Sequence, residues 1–99
     1  MRALPETTDL AAVARDLESL ALELRDAGRR RIPAEVSAAS DALICAAYLL
    51  RARQDVSDGR PARTDLLHDA VALARSTVEA TKYACRERMG ARRDADGRS

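Results

Sequence analysis

Leu10, Val13, Leu17, Leu20, Leu24 and Ala27 recur at alternating intervals of three and four residues. That spacing forms one continuous stripe only on a helix, where 3.6 residues per turn bring such positions back to the same side. A chain that begins this way must bury helical stripes against one another. The first helix is expected over about residues 8–27. Thr7 or Thr8 can accept from the free amides of its first turn, Asp9 suits its positive end, and Gly28 can adopt the left-handed conformation that stops it.

Two more helices follow. Pro33, Ala34 and Glu35 read as a helix start, since proline in the first turn has no amide to lose, and this helix is expected over 34–53. Its seam is Val36, Ala39, Leu43, Ala46 and Leu50. Ile44, Cys45, Tyr48 and Leu49 project elsewhere, so its second half is apolar nearly all round. The stretch from Asp55 to Pro61 is rich in turn formers. A third helix is expected over 62–89 with the seam Leu67, Val71, Ala74, Val78, Thr81 and Cys85, flanked by Leu66, Ala70, Leu73, Thr77, Ala80 and Ala84. Gly90 is its expected cap. Residues 1–7 read as an arm, and 91–99, with no apolar pattern, as a disordered tail. Short connections favour antiparallel neighbours, so the reading is an all-α, up-down-up three-helix bundle over 8–90, open to completion by dimerisation.

The incentive to dimerise lies in the core. Of 99 residues, 46% are hydrophobic, but alanine supplies much of that share, Phe and Trp are absent, and Tyr48 and Tyr83 are the only aromatics. A chain of this length buries only about 60–65% of its unfolded surface. Few large side chains, each worth about 1.5–3 kcal/mol when buried, are available to drive folding.

Several functions are disfavoured by composition. The net charge is +1, and of 17 lysines and arginines only Lys82 is lysine, a bias that a GC-rich genome also produces. A dedicated nucleic-acid domain is usually far more basic. The longest apolar run, Leu43 to Leu50, is too short to cross a bilayer, and the start has no signal-peptide pattern, which gives the expectation of a cytoplasmic chain away from the membrane. Cys45 and Cys85 read as reduced thiols. In an antiparallel hairpin Cys45 falls beside about Val71, and Cys85 lies about 21 Å further along, beyond the ~7 Å reach of a disulfide. No cofactor or metal is expected: the four glycines are scattered, Glu-x-x-His pairs are absent, and one histidine with two distant cysteines makes no zinc site.

Three candidate sites remain. The first is a partner interface at Ile44, Cys45, Tyr48 and Leu49, for a second copy or another helical protein, because an all-round apolar helix must be covered. The second is an anion or nucleic-acid patch, in which Arg29, Arg30 and Arg31 converge with Arg86 and Arg88 at one pole. Arginine forks suit phosphate, although cations at helix C-termini also stabilise the fold. The third is Arg63-Thr64-Asp65-Leu66-Leu67-His68, which resembles the Arg-x4-6-His motif of the HEPN family of all-helical dimeric proteins. That resemblance implies metal-independent RNA cleavage, with His68 handling a proton and Arg63 steadying phosphate charge. The leading expectation is a non-catalytic interaction or oligomerisation module, ahead of a nucleic-acid-associated regulator and a ribonuclease.

Overall fold

A computed structural model describes residues 9–27, 32–61 and 63–97, with side chains through Gly90. It is all-α, a three-helix bundle in the order α1 (Leu10–Ala27), α2 (Ala34–Ser57) and α3 (Thr64–Gly97). Asp9 caps α1, its Oδ1 accepting from the amides of Ala11 and Ala12 at 3.0 and 3.3 Å, and the threonines expected to cap it, Thr7 and Thr8, lie outside the described residues. The amide of Leu10 donates instead to Oε1 of Gln54 on α2, at 3.1 Å. The start of α1 is therefore held by both its own cap and its neighbour.

Pro33 precedes α2, its carbonyl accepting from Val36 and Ser37 at 3.0 Å each. α2 runs four residues past the expected stop at Arg53, and the reversal is compressed around Asp58 and Gly59. Gly59 has φ +74°, a left-handed conformation that side chains disfavour. The amides of Asp58, Gly59 and Arg60 then close the end of the helix on Gln54, Val56 and Asp55. α3 continues through Gly90, the expected cap, as far as Gly97, into the stretch whose composition suggests a disordered tail.

Packing is between sequence neighbours only. α1 lies on α2 and α2 on α3, while α1 and α3 make no contact among the described residues. The bundle is therefore open. It is also elongated by the 34 residues of α3, with extents of 63 × 30 × 23 Å and a radius of gyration of 17.4 Å, against about 13 Å for a compact domain of 100 residues.

What the helices bury against each other is alanine. The buried hydrophobic residues are Ala14, Ala21, Ala38, Ala47, Ala52, Ala70 and Ala84. Ala14 and Ala21 on α1 are seven residues apart, Ala38 and Ala52 on α2 and Ala70 and Ala84 on α3 are fourteen apart, and Ala47 stands seven beyond the buried Ser40, which makes small-residue rows along which backbones approach closely. Cys45 belongs to one such row, its Sγ 3.3 Å from the carbonyl of Ala70, one residue from the level expected. Both cysteines are free.

The stripes read as seams lie beside these rows. On α3 the seam residues Leu67, Val71 and Val78 are exposed, whereas Ala70, Ala84 and the half-buried Leu66, Leu73, Thr77 and Ala80 face α2. On α1, Ala14 and Ala21 are buried while Leu20 is half exposed. Hydrophobic size alone points to the larger residues as core. Close approach of two helices selects the smaller ones.

Candidate interaction face

One residue orients all three helices. Asp41 is buried on α2, its Oδ1 accepting from Arg25 Nη2 of α1 at 2.9 Å and its Oδ2 from Ser76 Oγ of α3 at 2.6 Å. Arg25 Nε also donates to the buried Ser40 Oγ, which donates in turn to the carbonyl of Ala21. Arg25, Asp41 and Ser76 thus mark one side of the molecule.

That side is polar. Arg51 of α2 grips Glu18 of α1 through two hydrogen bonds of 3.1 and 3.0 Å. Near the start of α1 and the end of α2 a cavity of about 600 Å³ is lined by Glu18, Tyr48, Arg51, Gln54, Asp55 and Asp69, among others. Its three arginines are paired, Arg60 with Asp55 at 3.2 Å and Arg51 and Arg63 with Glu18 and Asp65, while the carboxylates of the lining outnumber them. The network fastens the helices and leaves the cavity acidic.

The other side is apolar. At about 100° per residue, the alanine row of each outer helix separates its polar side from a second stripe. On α1 that stripe is Val13, Leu17, Leu20 and Leu24. On α3 it is Leu67, Val71, Ala74, Val78 and Cys85. Between the rows of α2, opposite Asp41 and Tyr48, lie Ala39, Leu43, Ala46 and Leu50. The stripes read from sequence as a mutual core therefore share one face of an open molecule. Leu20, Val71 and Val78 are 49%, 50% and 51% exposed on it. A shallow groove of about 290 Å³ runs along Val71, Ala74 and Val78, with Arg75 and Glu79 at its outer edge.

The residues singled out by sequence are dispersed. Ile44 and Tyr48 are half buried toward the polar side, Cys45 packs on α3, and Leu49 is half exposed beyond the α3-facing row. Arg29, Arg30 and Arg31 lie outside the described residues. Arg88 Nε donates to Glu35 Oε1 at 2.9 Å, and Arg86 is exposed. Arg63 holds Asp65 through two bonds of 3.1 and 3.0 Å, and His68 is exposed, about 140° around the helix from Arg63. Arg63 and His68 do not converge. No helix is long and apolar enough to cross a membrane, and no group of three metal-binding side chains occurs, among the described residues.

Two exposed carboxyls titrate below their ordinary range. Glu35 is lowered by the backbone amide at the start of α2 and then by Arg88, and Asp65 by its hydrogen bonds from Arg63. Because both folded values are depressed, what these pairs contribute is present above the ordinary carboxylate range, about pH 4, and lost as pH falls through the lowered values. In an NMR titration Glu35 and Asp65 are expected to titrate below the ordinary Glu and Asp values. The sequence-level signal for the face as a whole was the pairing, on each helix, of a small-residue row with a large-residue stripe. No protein-family model matches the chain, and no curated protein or solved structure is significantly similar to it.

Proposed function

We propose that the chain is a non-catalytic interaction module that associates through helix packing on the apolar face formed jointly by α1, α2 and α3. The supporting observation is the core: every buried hydrophobic side chain among the described residues is alanine, while the leucines and valines of three stripes share one side, where Leu20, Leu67, Val71 and Val78 are exposed and Val13, Leu17, Leu24, Leu43 and Leu50 half-buried. Buried alanine contributes roughly one methyl group, about 0.8 kcal/mol, where a buried leucine or valine contributes about 1.5–3 kcal/mol. Stability of 5–15 kcal/mol is typical of a native domain, and no large apolar side chain among the described residues is fully buried within the chain. A contiguous apolar face of this extent marks an interaction site. The polar face is less suited to helix packing, because covering it would desolvate the charged groups that line it.

Association linked to folding has a direct signature. The melting temperature of the purified chain is expected to rise with protein concentration, because a partner that binds only the folded form stabilises it by mass action. Light scattering at micromolar concentration should give a mass above the 10.8 kDa of one chain. A melting temperature independent of concentration, together with a monomeric mass alone and in cell extract, would end this reading.

A further inference from the structure

The geometry points to a second copy of this chain as the occupant of the apolar face, related by a two-fold axis parallel to the helices, so that α1 of each copy lies across from α3 of the other. The inference rests on the reading of that face as an interaction surface and adds the partner and its orientation.

Size is the first argument. α1 has 18 residues, roughly 27 Å of helix, and three helices side by side at about 9 Å spacing span nearly 30 Å. The face therefore offers on the order of 800 Å² per copy, the area that a stable interface of standard size takes from each partner.

Charge is the second argument. On α1, Asp16 and Glu23 are exposed next to the apolar stripe, within one turn of Leu20. On α3, His68 and Arg75 are exposed along the outer edge of the corresponding stripe, and Arg75 borders the groove of Val71 and Val78. Glu79 on the same edge is held by Lys82 at 3.6 Å. One flank of the face is thus acidic and the other basic, both outside the apolar area, where flanking charges select partner and orientation in helical interfaces.

Register is the third. α1 and α3 both run antiparallel to α2, hence parallel to each other, and Arg25 and Ser76 meet at Asp41. A residue of α1 is therefore level with the residue 51 positions later on α3. Asp16 and Glu23 fall within one residue of the levels of His68 and Arg75, so the seven-residue spacing of the acids matches that of the bases. A two-fold parallel to the helices preserves these levels and exchanges the flanks, placing Glu23 against the partner's Arg75 and Asp16 against the partner's His68. A two-fold across the helices would set acid against acid and base against base. Like charges opposed across an interface disfavour that arrangement.

The orientation makes α2 of each copy lie along its own image, with Ala39 and Ala46 each near its counterpart. Glu23→Arg and Arg75→Glu are each expected to weaken self-association about tenfold, since every dimer contains the pair twice, and the double variant should recover to within about threefold of the parent. In a background of Cys45→Ala and Cys85→Ala, both Ala39→Cys and Ala46→Cys should couple into dimers with a short bismaleimide. A dimer whose affinity ignores both charge reversals, or that couples at one of the two positions only, overturns the arrangement while leaving the interaction module standing. A chain that stays monomeric at every concentration overturns the second copy as occupant and the reading beneath it.

Discussion

Val78→Glu is expected to abolish association while leaving the single chain folded. Val78 lies at the middle of the exposed stripe of α3 and is half exposed in the isolated molecule, so a glutamate there remains hydrated and perturbs monomer stability by roughly 0.5 kcal/mol or less. Once the face is covered, the same carboxylate is desolvated among apolar side chains, with Arg75 and Lys82 one turn away only at the rim, and a charge buried there is strongly unfavourable. Two copies suffer this in a dimer, and affinity should fall at least about a hundredfold. Tyr83→Glu supplies the matched control. Tyr83 is 52% exposed against 51% for Val78, yet five residues place it about 140° around the helix, on the polar side. Equal exposure with unequal effect, read by sedimentation and by circular dichroism of the helices, separates a specific face from general loss of solubility. Equal loss in both variants would sink the assignment of the face.

The second large effect is internal. Asp41→Ala is expected to destabilise the fold by about 2–3 kcal/mol in denaturant unfolding, among the larger losses for a single polar side chain. α1 and α3 do not touch among the described residues, and Asp41 is the group that binds one residue of each. Removing it strands Ser76 and leaves Arg25 with only Ser40. The loss falls short of that for a fully buried pair because the side chain of Arg25 is 46% exposed although that of Asp41 is only 10% exposed. Asp41→Asn, which keeps one acceptor, should lose about half as much, and Ser76→Ala about 1 kcal/mol. In a double-mutant cycle Asp41 should couple to both Arg25 and Ser76. Additive losses at all three positions would mean that the outer helices are fastened elsewhere.

These two predictions concern opposite sides of one molecule, and the sequence displays the sides unequally. Helix number and order follow from periodicity and breakers: Pro33 and Gly59 act on local backbone conformation, and local rules suffice. The three-and-four spacing also identifies every residue of the apolar face. The use of those residues is less legible. Leu67, Val71 and Val78 read as core because large apolar side chains release the most free energy on burial, and nothing in one strand of sequence states which helix is near. Likewise Ile44, Cys45, Tyr48 and Leu49 are consecutive enough to suggest a patch, but successive positions on a helix point in different directions, and packing on both sides of α2 divides them. Asp41 gave no signal at all, since a lone aspartate in a helix looks like any solvated charge until two distant residues reach it.

The sequence by itself thus determined three amphipathic helices, their antiparallel succession and the stripes they carry, because these depend on interactions within a few residues. Only the tertiary structure decided that alanine rows, with the leucine stripes half-buried or exposed beside them, form the innermost contacts. Two helices approach along their smallest side chains, and which rows meet depends on the relative rotation of whole helices. That rotation left the three large stripes half-buried or exposed on a single face, where the rest of the free energy of burying them is available for association.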